Sequence, residues 1–186
     1  MKRLLSLFML LALFALNANG QTVPTAQTLP YSENFNTLPH TSTALPTGWV
    51  SHNVGILSTS FLTTYGTADV TMTAGGSAGT TTNNVINFNQ KIGSLVGGTN
   101  GRYPLLAINT TGFENITVTF EIMTIRVADV ARINDVQLQY LVSSSPSGTF
   151  TGIGAIYSTD NTAVKNSVGD TSGVKREVIT VSLPAA

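Results

Sequence analysis

Asn115-Ile116-Thr117-Val118-Thr119-Phe120-Glu121-Ile122, followed after a connection by Val136-Gln137-Leu138-Gln139-Tyr140-Leu141-Val142, carries the plainest structural signal in this chain. Ile116, Val118, Phe120 and Ile122 fall on one face of an extended backbone, and Val136, Leu138, Tyr140 and Val142 do the same in the second run. Alternation of period two in β-branched and aromatic residues marks a half-buried strand. Two such runs on a modest linker predict antiparallel neighbours over one core.

Shorter strands are expected on either side of this pair. Upstream they are Tyr31–Phe35, Val54–Leu62, Asp69–Thr73 with Val70 and Met72 inward, Asn84–Phe88 and Tyr103–Asn109. Downstream, a weaker strand holds Phe150, Ile153, Ile156 and Tyr157, and a last one runs from Val174 to Leu183 with Ile179, Val181 and Leu183 on one face. Between them lie segments rich in Gly, Pro, Ser, Thr and Asn, among them Asn36–Gly48, which Trp49-Val50 closes, Ala74–Thr82 and Ser158–Gly173. These are turn and loop chemistries. The connection Gly93–Gly101 is glycine-rich, but it lacks the lysine and the following helix of a phosphate cradle. No helical stripe of useful length follows the first twenty residues, so the chain reads as all-β, an antiparallel sandwich or barrel.

The first twenty residues have the form of an export signal. Lys2 and Arg3 supply the positive end, Leu4–Leu16 is almost wholly apolar, and Ala18-Asn19-Gly20 offers a cleavage site. The apolar run falls short of the roughly 20 residues that span a bilayer; an uncleaved anchor is the competing reading. With no Cys in the chain, a lipid-acylated N-terminus and disulfides are both excluded. No later segment is apolar enough to cross a membrane. The expected organisation is therefore signal at 1–20, polar leader at 21–29 and β-sandwich at 30–186, in an extracellular or cell-surface location. Loss of the signal leaves 7 basic against 9 acidic residues, a net charge of −2. A weakly acidic surface of hydroxyls and amides excludes binding to a nucleic-acid backbone or to anionic lipid, both of which need a basic patch.

With the strands placed, Tyr31-Ser32-Glu33-Asn34-Phe35-Asn36-Thr37-Leu38-Pro39 and Leu45-Pro46-Thr47-Gly48-Trp49 resemble the opening of jelly-roll domains in large secreted bacterial surface proteins, including those of the type IX secretion route. Asn84–Phe88 with Ile92-Gly93-Ser94-Leu95, the central pair and Val178–Ala186 fit the same pattern in order, so the likeness spans residues 28–186. It implies a two-layer jelly roll similar to carbohydrate-binding modules and MAM-like adhesion domains. Such domains sit beside nucleases, peptidases, phosphodiesterases or adhesive repeats. The family's last strands and its C-terminal sorting domain have no counterpart here. The expectation is a sandwich incomplete at its C-terminus, able to self-associate through the edge of the final strand.

Catalytic signatures are sparse. His40 and His52 have no acidic neighbour at a motif spacing and are read as exposed or lightly packed loop residues. There is no Gly-x-Ser-x-Gly elbow and no paired-His zinc motif. The acidic residues are scattered towards strand ends and loops, as solvated charges are, and they suit a glycosidase pair poorly. Asn109-Thr110-Thr111 and Asn115-Ile116-Thr117 match the N-glycosylation sequon; in a chain with a bacterial likeness both are read as chance.

Two binding signals stand out. Glu33, between Tyr31 and Phe35, would point inward and need a partner. It is either a ligand of a structural Ca²⁺, helped by Asn34 and backbone carbonyls, or a carboxylate bonded to backbone amides. Tyr65, Tyr103 and Trp49 can offer flat faces to a sugar ring, with Trp49 the one best suited to plugging a core. The expected function is a non-catalytic extracellular module binding a glycan or a surface polymer. The alternative is an accessory domain of a secreted hydrolase whose catalytic part lies beyond Ala186.

Overall fold

The computed structural model describes residues 22–39, 41–54, 68–74, 84–95, 101–125, 135–143, 147–159 and 173–184. The export segment 1–20, His40 and Tyr65 lie outside the described residues. Within them every regular element is a strand: β1 (Trp49–Val54), β2 (Ala68–Asp69), β3 (Asn84–Asn87), β4 (Ile92–Leu95), β5 (Gly101–Leu106), β6 (Thr117–Thr124), β7 (Asp135–Tyr140), β8 (Thr151–Ser158) and β9 (Val174–Ser182). All strand pairs are antiparallel, in the orders β2-β1-β5, β3-β4, β6-β9 and β7-β8. Among the described residues the protein is all-β with antiparallel sheets.

The alternation that marked β6 is real. Thr117, Thr119 and Glu121 are exposed while Val118, Phe120 and Ile122 are half-buried. The expected partner is not. β6 pairs with β9, from Thr117 opposite Ser182 to Thr124 opposite Val174, and β7 pairs with β8 instead. Alternation reports which face of a strand is buried, and it carries no record of which strand lies alongside. The face expected for β7 is also shorter than its pattern, since Val136 and Val142 are exposed and only Leu138 and Tyr140 are half-buried. The final strand, expected to present a sheet edge, is bonded on one side to β6, and Leu183 N–H continues the ladder to Ile116 O at 2.8 Å.

Two upstream expectations change. Tyr31–Phe35 is irregular and leads into a turn at Asn36-Thr37: Phe35 sits at φ +58°, and Asn36 N–H bonds Asn34 Oδ1 at 3.0 Å. Of the strand expected over Val54–Leu62 only Val54 is described, as the last residue of β1; residues 55–62 lie outside the described residues. The glycine-rich connection gives its ends to strands, Gly93 to β4 and Gly101 to β5.

One core gathers Leu38, Met72 and Val85, with Phe35, Leu45 and Ile92 packed against it. Met72 faces inward as its position predicts. β3 is buried on both faces, from Val85 through Phe88. Further along, Tyr157 of β8 is buried and reaches the β6–β9 pair, its hydroxyl donating to Lys175 O at 2.7 Å and lying 2.7 Å from Thr124 Oγ1. Gly154 rests directly on Val181 of β9, where a Cβ would collide with Cγ1. The β7–β8 register shifts between Val136 and Leu138, so β8 carries extra residues there; Gly154 at φ +77° takes the bend and Ile156 is turned out to solvent.

Candidate functional site

The site begins with one rung of a sheet. In β1, His52 stands opposite Asp69 of β2 on one side and opposite Tyr103 of β5 on the other. His52 is completely buried, and its Nδ1 lies 3.4 Å from Asp69 Oδ1. Its ring centroid is 6.2 Å from that of Tyr103, which in turn meets Phe150 edge-on at 6.0 Å. The expectation of a lightly packed loop histidine is thus corrected: a strand residue in the middle of a three-stranded sheet has neighbours on both sides.

Asp69 sits at the rim of this rung, with 38% of its side chain exposed. The polar leader comes to it. Thr22 N–H points between both carboxylate oxygens at 3.0 Å, and the Thr22 hydroxyl donates to Oδ2. Five residues on, Gln27 joins the sheet beside Gly48, just ahead of β1: its N–H bonds Ala107 O at 2.9 Å, and its carbonyl accepts from Asn109 N–H at 2.8 Å. The leader is thus tied to the sheet at two points, Thr22 and Gln27. Gly48 makes the second of these possible, because a Cβ there would collide with the Gln27 side chain.

Next to the Thr22–Asp69 contact lies an open cleft of about 190 Å³, lined by Thr22, Thr43, Leu45, Trp49, Asp69 and Thr71 among others. That is below the roughly 300–1,000 Å³ of pockets that engulf a drug-sized ligand, and it suits one ring of a longer chain. Its floor is rigid. Val70 N–H bonds Ser51 O at 2.9 Å, and the buried Ser51 hydroxyl returns a bond to Val70 O. Asp69 is the one charged side chain in this lining.

The aromatic candidates separate. Trp49 lines the cleft while also packing edge-on to Phe35, ring centroids 5.3 Å apart, with Nε1–H donating to Tyr31 Oη at 2.8 Å. It is both plug and wall. Tyr103 belongs to the buried rung and not to the cleft lining. Glu33 is a turn cap: Oε1 accepts Phe35 N–H at 2.6 Å, just as Asn34 Oδ1 accepts Asn36 N–H. The two oxygens expected to serve calcium both face backbone amides, and among the described residues no group of three or more His, Cys, Asp or Glu side chains gathers.

Asp69 and Thr22 are the residues that sequence reading missed. Thr22 lay in a stretch read as leader, and Asp69 in one read only for its apolar alternation. Both carry an ordinary polar signature, and what joins them is pairing across 47 residues of chain. Comparison with protein-family models, with curated proteins and with solved structures finds no match to this chain.

Proposed function

We propose that this chain is an exported, non-catalytic module that binds glycan or a surface polymer in the cleft between Trp49 and Asp69. The observation that carries the reading is the combination found there: an indole, the hydroxyls of Thr22, Thr43 and Thr71, and a single carboxylate beside the buried His52. Sugars are recognised by this mixture, with C–H groups packed on an aromatic face and hydroxyls bonded to fixed polar atoms. The low charge of the surface leaves such contacts unopposed by a strong field. The likeness of the Tyr31–Trp49 segment to the opening of secreted jelly-roll domains points the same way, as does the signal-like N-terminus. In this reading the β7–β8 and β6–β9 pairs stack as two layers, with Tyr157 and the Gly154–Val181 contact between them.

Titration of the purified protein with cellohexaose, xylohexaose and mannohexaose tests the proposal. Binding of at least one is expected, weakened at least tenfold by Asp69→Ala with the thermal melt shifted by no more than a few degrees. Failure to bind any of the three, or binding indifferent to Asp69→Ala, overturns the assignment of the cleft.

A further inference from the structure

The contact between Thr22 and Asp69 has a chemistry of its own. The nitrogen and Oγ1 of threonine are carried on adjacent carbons. That is the connectivity of a vicinal diol, with one oxygen replaced by nitrogen. Both atoms donate to the same carboxylate, N–H to Oδ1 and Oδ2 at 3.0 Å and the hydroxyl to Oδ2. A carboxylate that accepts two donors from neighbouring carbons is the arrangement by which acidic side chains grip the 1,2-diol of a pyranose, through charge-assisted hydrogen bonds.

We propose that Thr22 is an internal ligand: in the unliganded protein it occupies the Asp69 carboxylate in the manner of a saccharide diol, and a bound saccharide displaces it. This deepens the binding function proposed above and rests on it. Three features make displacement feasible. Thr22 and the Asp69 carboxylate are both exposed, so their hydrogen bonds exchange readily with those of water or a ligand. Thr22 lines the same cleft as Trp49, so a ring seated there meets it directly. The place of the carboxylate is set without Thr22, because Asp69 is a strand residue in register with His52 of β1, whose buried ring lies 3.4 Å from Oδ1 at Nδ1. When Thr22 leaves, the acceptor stays.

The leader is held at two separate points. Gln27 is fixed by two backbone hydrogen bonds to Ala107 and Asn109 and lies against Gly48. Thr22, five residues away, is held through Asp69. Displacement therefore frees the end of the leader and leaves its Gln27 anchor in the sheet. The ligand class follows from the geometry: a neutral pyranoside with a free vicinal hydroxyl pair, which replaces two donors with two donors and brings no charge to a site whose carboxylate remains acceptor only.

The test uses the full chain and compares Thr22→Pro, which removes both the N–H and the hydroxyl, and Thr22→Val, which removes the hydroxyl alone. Probes are cellohexaose, xylohexaose and mannohexaose, together with the same sugars after periodate cleavage and borohydride reduction, which destroys vicinal diols at constant backbone length. Binding of an intact hexaose is expected to tighten about three- to tenfold in Thr22→Pro and less in Thr22→Val. The cleaved sugars should lose binding, and saturating hexaose should speed hydrogen exchange at the Thr22 amide of the parent while Gln27 stays protected. Equal or weaker binding by both variants overturns the proposal, as does slower exchange at Thr22; binding of intact and cleaved sugars alike overturns it while leaving a glycan function standing. Absence of binding in parent and variants removes both. Should Thr22→Pro fold poorly, Thr22→Val and the exchange measurement decide alone.

Discussion

His52 is polar, titratable and wholly buried, and nothing in Trp49-Val50-Ser51-His52-Asn53-Val54 announces it. The segment does not alternate, and its acid lies 17 positions later in a two-residue strand. Periodicity can find a strand whose polar face meets water. It is blind to one whose polar residues are covered by a neighbouring strand and by aromatic rings. Glu33 is the opposite case: a carboxylate two residues before the amide it caps is local chemistry, and one of the two sequence readings described it correctly. Replacing His52 tests how much the rung contributes. His52→Ala removes a fully buried ring from between Asp69 and Tyr103 and leaves a cavity, at an expected cost of about 2–4 kcal/mol in denaturant unfolding. It should also loosen saccharide binding, since Asp69 then loses its backing. A stability change below about 0.5 kcal/mol would mean that the ring is not packed as described.

At the level of elements, the sequence spelled out β6 and β9 almost residue by residue, including the inward Ile179 and Val181, and yet concealed that they pair. Both candidate partners of β7 were separated from it by connections of similar length, so loop closure gave no preference. Side-chain fit favours the observed pair: β6 and β9 keep one register from Thr117 to Ile122, with Thr119 and Thr180 hydroxyls 3.1 Å apart and Arg176 Nη1 3.4 Å from Glu121 Oε1 on the outer face. β8 read as weak because its pattern is broken by Gly152 and Gly154, and the break has a purpose. Gly154 at φ +77° lets the strand bend and lets Val181 come into contact with its backbone. Gly154→Ala is expected to cost about 2–4 kcal/mol, combining a left-handed alanine with overpacking against Val181. The double variant Gly154→Ala/Val181→Ala separates the two: the clash disappears and the backbone strain stays. A double variant no more stable than the sum of the two single changes would show that the two residues do not touch.

At the scale of the whole molecule, the described residues hold two packed regions. Leu38, Met72 and Val85 centre one, near the cleft; Tyr157 and Val181 centre the other, between β8 and β9. A two-stranded pair is marginal by itself, so β6–β9 and β7–β8 each depend on what they pack against. Phe150, at the start of β8, reaches Tyr103 of the His52 rung with centroids 6.0 Å apart and planes at 75°. An edge-to-face aromatic pair adds about 0.5–1.5 kcal/mol beyond the area it buries, enough to couple two regions whose own margins are small. The chain contains one tryptophan, Trp49, and it lies in the first region beside Phe35. Its fluorescence therefore follows the cleft side alone, while hydrogen exchange of the β7 and β8 amides follows the other. In the parent the two probes should report one transition. Phe150→Ala should draw them apart, with β7–β8 protection lost at lower denaturant and the Trp49 midpoint moved by less than half as much. If both probes shift together by the same amount, the regions are joined by contacts that do not pass through Phe150 and Tyr103, and the cleft shares its stability with the far sheets by another route.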